Sequence, residues 1–146
     1  MNIVLTDPQD ALCSWLCERI TYVPTPNMVV FGQYNVAKKR IIGAVGYDNW
    51  AINSVEMHCA GEGRWVTREL IYKSFQYPFI RGGVKVVIAR VGGDNAKALK
   101  FNTHMGFKEQ CRIPNAWDGD TDLVILAMQK TDCKWLDLAA MHKKAA

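Results

Sequence analysis

Residues 54–59 place three polar side chains that could move protons on one face of a short strand. The sequence Ser54-Val-Glu-Met-His-Cys59 alternates polar and apolar residues, and residues two apart on a strand share a face. Ser54, Glu56 and His58 are therefore predicted to point the same way. Because a histidine titrates near neutrality, His58 with Glu56 beside it forms a candidate general-base pair.

The same alternation has plainer interpretations. A strand with one face on a core turns polar residues to water on the other face, and a Glu–His pair can be a simple ion pair. A Ser–Glu–His hydrolase triad is disfavoured, because residues at alternate positions of one strand do not converge on one nucleophile, and the chain has no Gly-x-Ser-x-Gly turn. Asp48 and Asn49, just before this strand, could contact a substrate or simply form the turn.

A basic turn follows this strand and leads into a helix, with the sequence Gly61-Glu-Gly-Arg-Trp-Val-Thr-Arg68. A helix N-terminus offers unpaired N–H donors and about half a positive charge, which suits a phosphate group. Arg64 and Arg68 add charge, and Thr67 could donate its hydroxyl. In the alternative interpretation the arginines are surface charges and Trp65 is a core or capping aromatic residue.

The five cysteines are scattered along the chain, at Cys13, Cys17, Cys59, Cys111 and Cys133. They form no Cys-x-x-Cys pair, which predicts a reducing, cytoplasmic setting. For Cys13 and Cys17, four residues apart, we predict two small apolar side chains on one helix face, since zinc sites need about four clustered ligands. No metal is predicted.

Length and composition predict one globular domain, 1–146, whose core needs no cross-links. The chain is 49% apolar and 22% charged, which is ordinary for a soluble protein. The sequence has neither a run of about 18 apolar residues nor a recognisable signal peptide, so no membrane association is predicted. The net charge of +4 suits a phosphorylated cofactor as well as nucleic acid, but the chain has no run of about five or six like charges, which disfavours nucleic acid as a partner.

Apolar periodicity and turn residues predict ten elements in the order β-α-β-β-β-α-β-α-β-β. Asp7 is expected to cap the first helix, with Pro8 at its first position. Asp94 or Asn95 should cap the last helix, which ends at Gly106. The predicted strands are 2–6, 28–33, 40–47, 52–59, 84–91, 107–113 and 123–129, and the middle helix spans 66–77 and stops near Pro78.

This order predicts the fold class. Consecutive hairpins give antiparallel neighbours, whereas the later β-α-β unit gives a parallel crossover. We therefore predict an α/β (α+β) fold with a mixed, mostly antiparallel central sheet and helices on both faces.

The order of elements resembles the GNAT-type N-acetyltransferase fold over about residues 28–129. The most specific piece is Asn95-Ala-Lys-Ala-Leu-Lys-Phe-Asn-Thr-His-Met-Gly-Phe107, which is similar to the family's late helix and next strand. That family pattern has an Asn, a small residue three later, an aromatic residue and a closing Gly-Phe. More narrowly, WVTRELIYKSFQYPF and DNAKALKFNTHMGF resemble small GNAT-type proteins of tailed phages, which would place the chain in a host cytoplasm.

The resemblance implies acetyl-CoA as the cofactor. It would enter where two parallel strands splay apart, with its pyrophosphate on the turn before the central helix. The family pattern in that turn is Gln/Arg-x-x-Gly-x-Gly/Ala, and this chain departs from it, since Trp65 and Thr67 replace the later small residues. The residues expected to bind the cofactor are Met57, Cys59, Arg64, Trp65, Val66, Thr67, Arg68, Asn95, Ala98 and Phe101.

The resemblance also implies direct attack by an amine in a ternary complex, with Glu56 or His58 taking the proton. The family often has a tyrosine acid four residues before the Gly of Gly-Phe, but this chain has Asn102, which donates a hydrogen bond and cannot act as a general acid. Asn102 either holds the cofactor or substrate or bonds a neighbouring backbone group. Nothing near Cys59 marks it as an activated nucleophile.

The predicted function is therefore transfer of acetyl from acetyl-CoA to a primary amine of a small-molecule or protein acceptor. The alternative is a GNAT-fold binding module without catalysis, such as a phage protein that engages a host factor, which the altered turn and missing tyrosine favour. The loops 22–27 and 114–122 would select the acceptor. A homodimer is compatible with the several tryptophans.

Overall fold

Seven strands form one sheet in the part of the chain that the structure describes, residues 1–137 of a computed structural model. The strands are β1 (Asn2–Leu5), β2 (Val29–Asn35), β3 (Arg40–Asp48), β4 (Ser54–Gly61), β5 (Val86–Gly92), β6 (Lys108–Ile113) and β7 (Leu123–Gln129). Their spatial order is β1-β2-β3-β4-β5-β7-β6, and only β4 and β5 pair in parallel. The mixed, mostly antiparallel sheet is confirmed.

Three helices and three short helical turns complete these residues. The helices are α1 (Gln9–Ile20), α2 (Arg68–Gln76) and α3 (Ala96–Met105). A π-helical turn, Tyr77–Arg81, follows α2, and 3-10 turns span Lys130–Asp132 and Lys134–Leu136. Within residues 1–137, no helix is long and apolar enough to cross a lipid bilayer.

The helices cover both faces of the sheet. On one face, Leu12 and Leu16 of α1 pack with Met28, Val30 and Ala44. On the other face α2 and α3 bury the larger core, which includes Leu70, Phe75, Met105, Val55 and Val87. Alternation along β4 then turns Val55, Met57 and Cys59 toward α2 and α3, and Glu56 and His58 toward the α1 face.

The start of α1 differs from the prediction. Asp7 does not cap the helix, because Pro8 occupies the N-cap position and α1 begins at Gln9. The Gln9 side chain fixes this start: its Nε2 donates to the carbonyls of Thr6 and Val30, both at 2.7 Å, and its Oε1 accepts from the Val30 N–H at 2.9 Å. This long amide anchors the helix to β2, which a local capping pattern could not indicate.

The middle helix also departs from its predicted bounds. Thr67 is the N-cap of α2, so the helix begins at Arg68 rather than Val66. Pro78 does not end the helical path, because it lies at the start of the π-helical turn, where its missing N–H is not required. The turn ends at Gly82, which donates its N–H to the Tyr77 carbonyl at 2.8 Å.

The two parallel strands separate part-way along the sheet. Pairing between β4 and β5 joins Ser54–Glu56 to Val86–Ile88, but β4 continues to Gly61 and β5 to Gly92. The second halves of these strands therefore diverge. Beyond Glu56 and Ile88 the two strands are therefore not paired with each other.

Candidate active site

An apolar cleft lies beside the unpaired half of β4 on the α2 and α3 side. Its walls come from β4, from the turn before α2, from α2 itself and from α3. Several of the residues expected to bind a cofactor meet there: Met57, Cys59, Trp65, Val66 and Phe101, together with Asn102. The unpaired half of β4 and the start of α2 thus border one space.

Trp65 forms one wall of this cleft. Its indole lies directly on the backbones of Gly43 and Gly61, which are cross-strand partners on β3 and β4. A Cβ at either glycine would overlap the indole, so both positions must remain glycine for the ring to lie there. The ring centroids of Trp65 and Phe101 are 5.9 Å apart. These contacts agree with the core-aromatic interpretation of Trp65 and also narrow the cleft.

The N-terminus of α2 is held by a hydrogen-bond network. Thr67 Oγ1 accepts from the Leu70 N–H at 3.2 Å and from Gln33 Nε2 at 2.9 Å. Gln33 is fully buried, and its Oε1 has no hydrogen-bond partner within residues 1–137. Rotating the amide by 180° would let Thr67 donate to Oε1 and would present an N–H instead. Either way one polar atom of the buried amide beside the helix start has no partner within residues 1–137.

Several predicted residues do not line the cleft. Arg64 and Arg68 are exposed beside the start of α2, where their charge adds to that of the helix N-terminus. Asn95 is the N-cap of α3, as predicted, and accepts from the Ala98 N–H at 3.1 Å. Asn95 is exposed and Ala98 is half-buried. The cleft itself is therefore apolar, with its charges outside.

The surroundings of Asn102 and Cys59 do not activate either side chain for catalysis. Asn102 is buried in the cleft wall, and its Nδ2 donates to the Ala98 carbonyl at 2.9 Å, which is the backbone interaction considered from the sequence. Burial raises the pKa of the Cys59 thiol to about 11, so the thiol is protonated near neutral pH. A protonated thiol is a poor nucleophile.

On the opposite face, Glu56 and His58 are close together but not hydrogen-bonded. His58 Nε2 is 3.6 Å from Glu56 Oε2, which is too long for a hydrogen bond. This Nε2 is buried and has no hydrogen-bond partner within residues 1–137. The Tyr22 ring lies over the imidazole with a centroid separation of 4.4 Å. The structure thus places His58 in a half-closed pocket with one ring nitrogen unbonded.

The pocket keeps His58 neutral. Burial lowers the pKa of His58 below its usual 6.5; the negative charges of Glu56 and Asp48 oppose this shift, and the positive charge of Arg90 adds to it. A neutral imidazole at pH 7 can accept a proton. The surroundings therefore suit a base better than an acid.

Glu56 is held by two residues from neighbouring segments. Its Oε2 accepts from Asn49 Nδ2 at 2.9 Å, and its Oε1 is 3.7 Å from Arg90 Nη1 on β5. The Glu56 side chain is 17% exposed, so the carboxylate still reaches solvent. Sequence reasoning missed Arg90, although a charged residue near the end of the apolar run 84–91 was a usable signal.

Asp48 anchors the loop that covers this pocket. It is fully buried, and its carboxylate accepts hydrogen bonds from the Tyr22 hydroxyl at 2.9 Å, the Thr25 N–H at 2.8 Å and the Thr25 hydroxyl. Burial raises the pKa of Asp48, but these hydrogen bonds outweigh it and the net shift is downward. Burial, together with the hydrogen bond to Asp48, raises the pKa of Tyr22 to about 12, so its hydroxyl stays a donor.

Comparison with solved structures identifies this architecture. The superposition with a dodecameric spermidine N-acetyltransferase from Vibrio cholerae covers 93% of this chain and 96% of that protein, with a TM-score of 0.72 at 15% identity. With a mutant spermidine/spermine N-acetyltransferase from the same organism it covers 94% of this chain and 98% of that protein, with a TM-score of 0.70 at 15% identity. With a GNAT-family acetyltransferase from Bacillus anthracis it covers 70% of this chain and 66% of that protein, with a TM-score of 0.59 at 11% identity. This chain has the GNAT fold.

The sequence alone gives no such match. Neither a family model nor a curated protein sequence matches this chain. At identities of 11–15% the structural likeness establishes the GNAT fold and leaves the activity to be argued from the site. The narrower resemblance to phage-encoded GNAT-type proteins stays a prediction.

The buried His58 predicts a pH dependence of stability for this GNAT-fold chain. Because the pKa of His58 is lower in the folded state than its usual 6.5, protonation favours unfolding. The free energy of unfolding should therefore fall as the pH drops below 6.5, down to the folded-state pKa. Urea unfolding from pH 8 to pH 5 should show this slope in the wild type and a weaker slope in His58→Gln. Equal slopes would mean that His58 titrates normally.

Proposed function

We propose that this chain is an N-acetyltransferase that moves the acetyl group of acetyl-CoA to a primary amine. The observation that carries the proposal is the end of β4–β5 pairing after Glu56 and Ile88. At this point β4 has an apolar cleft and a helix N-terminus on one face, and a neutral histidine and a carboxylate on the other. In this proposal the donor and the acceptor approach β4 here from opposite faces of the sheet.

By chemical type, the residues present suit acetyl-CoA. The apolar lining contributed by Met57, Val66 and Phe101 suits the pantetheine arm. The N-terminus of α2, with Arg64 and Arg68 nearby, suits the pyrophosphate. When bound, acetyl-CoA supplies the activated acetyl thioester.

On the other face, we assign the base role to His58. Its Nε2 is unbonded but shielded from solvent, so the side chains around it must move before the imidazole, which is neutral at pH 7, takes up the proton of the attacking amine. Tyr22 fixes the ring orientation by stacking. Glu56, which is partly exposed, attracts the positively charged form of the amine before it is deprotonated. Asn102 orients the donor from the cleft wall without exchanging protons.

The acceptor proposal follows from this charge and from the structural neighbours. Glu56 and Asp48 give the pocket acidic character, which favours a cationic amine. Spermidine and spermine are named for the Vibrio cholerae neighbours, so they are the first acceptors to assay, followed by peptides with a free amine. A homodimer also stays a prediction.

Calorimetric titration with acetyl-CoA tests the donor half of the proposal. Each of Arg64→Ala and Arg68→Ala should weaken binding about tenfold, as expected for losing a hydrogen bond to a charged group. Arg81→Ala, an exposed arginine in the π-helical turn, is the matched control and should bind like the wild type. Desulfo-CoA should still bind, because the charged contacts lie at the other end of the molecule.

The competing function is a GNAT-fold binding module without catalysis. Trp65 favours it, because the indole packed on Gly43 and Gly61 narrows the cleft that the pantetheine arm needs. The same titration decides between the two: no heat of binding at millimolar acetyl-CoA would rule out the transferase and leave partner binding.

A further inference from the structure

Three sulfur atoms meet between α1 and the loop that leads into β2. Cys13 and Cys17 lie one turn apart on α1, and Met28 comes from the end of the 22–28 segment. Their Sγ and Sδ atoms form a nearly equilateral triangle: Cys13 to Cys17 is 3.8 Å, Cys17 to Met28 is 3.9 Å and Cys13 to Met28 is 4.0 Å. The proposed activity does not use this cluster.

The size of the triangle fits a metal ion at its centre. An equilateral triangle with a side of 3.9 Å has its corners about 2.3 Å from its centre, which is the length of a metal–thiolate bond. A trigonal ion could therefore bind all three sulfurs without moving α1.

From this geometry we propose that Cys13, Cys17 and Met28 form a three-coordinate site for Cu(I). Two thiolates and a thioether are soft ligands, which select Cu(I) among the common metal ions. Binding replaces the two S–H bonds with Cu–S bonds and releases two protons to the buffer, with no change in oxidation state. The site uses only residues of this chain and is separate from the proposed transferase chemistry.

The surroundings favour Cu(I) over zinc and allow Cu(I) to enter. Zinc needs about four ligands, and within residues 1–137 no group of three or more His, Cys, Asp or Glu side chains is found that could hold a metal ion. Leu12, Leu16 and Val30 form an apolar shell around the sulfurs. Cys13 and Cys17 are only half-buried, so an ion can reach them from solvent, while Met28 is 8% exposed and closes the inner side.

Competition with the coloured Cu(I)–bicinchoninate complex under anaerobic conditions tests the site. The wild-type chain should remove one equivalent of Cu(I) from the chelator, and Cys13→Ser or Cys17→Ser should remove none. Met28→Leu preserves side-chain volume and should keep the one-to-one stoichiometry with affinity about tenfold or more weaker. Cys111→Ser, which removes an exposed thiol on β6, is the control and should match the wild type.

X-ray absorption at the copper edge gives a second readout that does not depend on variant stability. It should show three sulfur neighbours at about 2.3 Å in the wild type and two in Met28→Leu. Circular dichroism of each variant establishes that it is folded. The proposal is overturned if the wild type does not compete with the chelator, if folded Cys13→Ser and Cys17→Ser still bind, or if Met28→Leu leaves the affinity unchanged.

Discussion

Replacing His58 with glutamine is expected to lower kcat for the amine acceptor by about 10²–10⁴-fold, the usual contribution of a general base. Glutamine keeps a polar side chain of similar length but cannot take up a proton. The affinity for acetyl-CoA should not change, because His58 and the apolar cleft lie on opposite faces of the sheet. Steady-state kinetics with calorimetry on the same samples separate these two effects.

The pH profile provides the control for this prediction. Since burial lowers the pKa of His58 below 6.5, kcat/KM of the wild type should be level near neutrality and fall only in acid. His58→Gln should lose that acidic limb, whereas His104→Gln, at an exposed histidine of α3, should keep it. If His58→Gln retains full activity and Glu56→Gln does not, Glu56 is the base and the assignment to His58 is wrong.

Much of the fold could be predicted because its signals are local. The strand Leu123–Gln129 has the bounds that its apolar run indicates, and α3 begins after its Asn95 cap and ends at the left-handed Gly106, as expected. The β-α-β unit from β4 to β5 required a parallel pair, and the sheet contains it. Errors occurred where a distant contact outweighed a local preference, as when Gln9 bonded to β2 and set the start of α1.

For the same reason, only part of the candidate site could be predicted from the sequence. The alternation of side chains along a strand is enough to place Glu56 and His58 on one face, whatever the rest of the chain does. The contacts that define their chemistry join distant segments: Tyr22 stacks on His58, Gln33 bonds Thr67, and Met28 completes a sulfur cluster with Cys13. Those pairs depend on strand register and on the path of the 22–28 segment, which spacing does not encode.

Asp48→Ala is expected to reduce the free energy of unfolding by about 3 kcal/mol, since an unsatisfied buried polar group costs about 1–3 kcal/mol. The substitution removes the acceptor from three donors, the Tyr22 hydroxyl and the N–H and hydroxyl of Thr25. Some of these donors can form hydrogen bonds with water once the loop loosens. The loss in free energy of unfolding is therefore smaller than the sum of the costs for three unsatisfied donors. Thermal unfolding should show Tm lower by roughly 10 °C.

The pH dependence of this difference checks its cause. The hydrogen bonds hold the pKa of Asp48 below its usual 3.8, so the part of the stabilisation that depends on the carboxylate charge is complete above pH 3.8 and is lost as the pH falls through the lower folded-state value. The difference between wild type and Asp48→Ala should therefore narrow in strong acid. Asp120→Ala, at an exposed aspartate, should leave Tm unchanged at every pH.

Asp48→Ala should also change acceptor binding on one face of the sheet without changing acetyl-CoA binding on the other. Without the anchor, the 22–27 loop no longer holds Tyr22 over His58, so KM for the acceptor should rise while the acetyl-CoA affinity stays constant. A folded variant with lower Tm and unchanged KM would show that the loop stabilises the chain without shaping the acceptor pocket. An unchanged Tm would mean that the carboxylate is not a buried anchor, and the loop would then have to be held over His58 by other contacts.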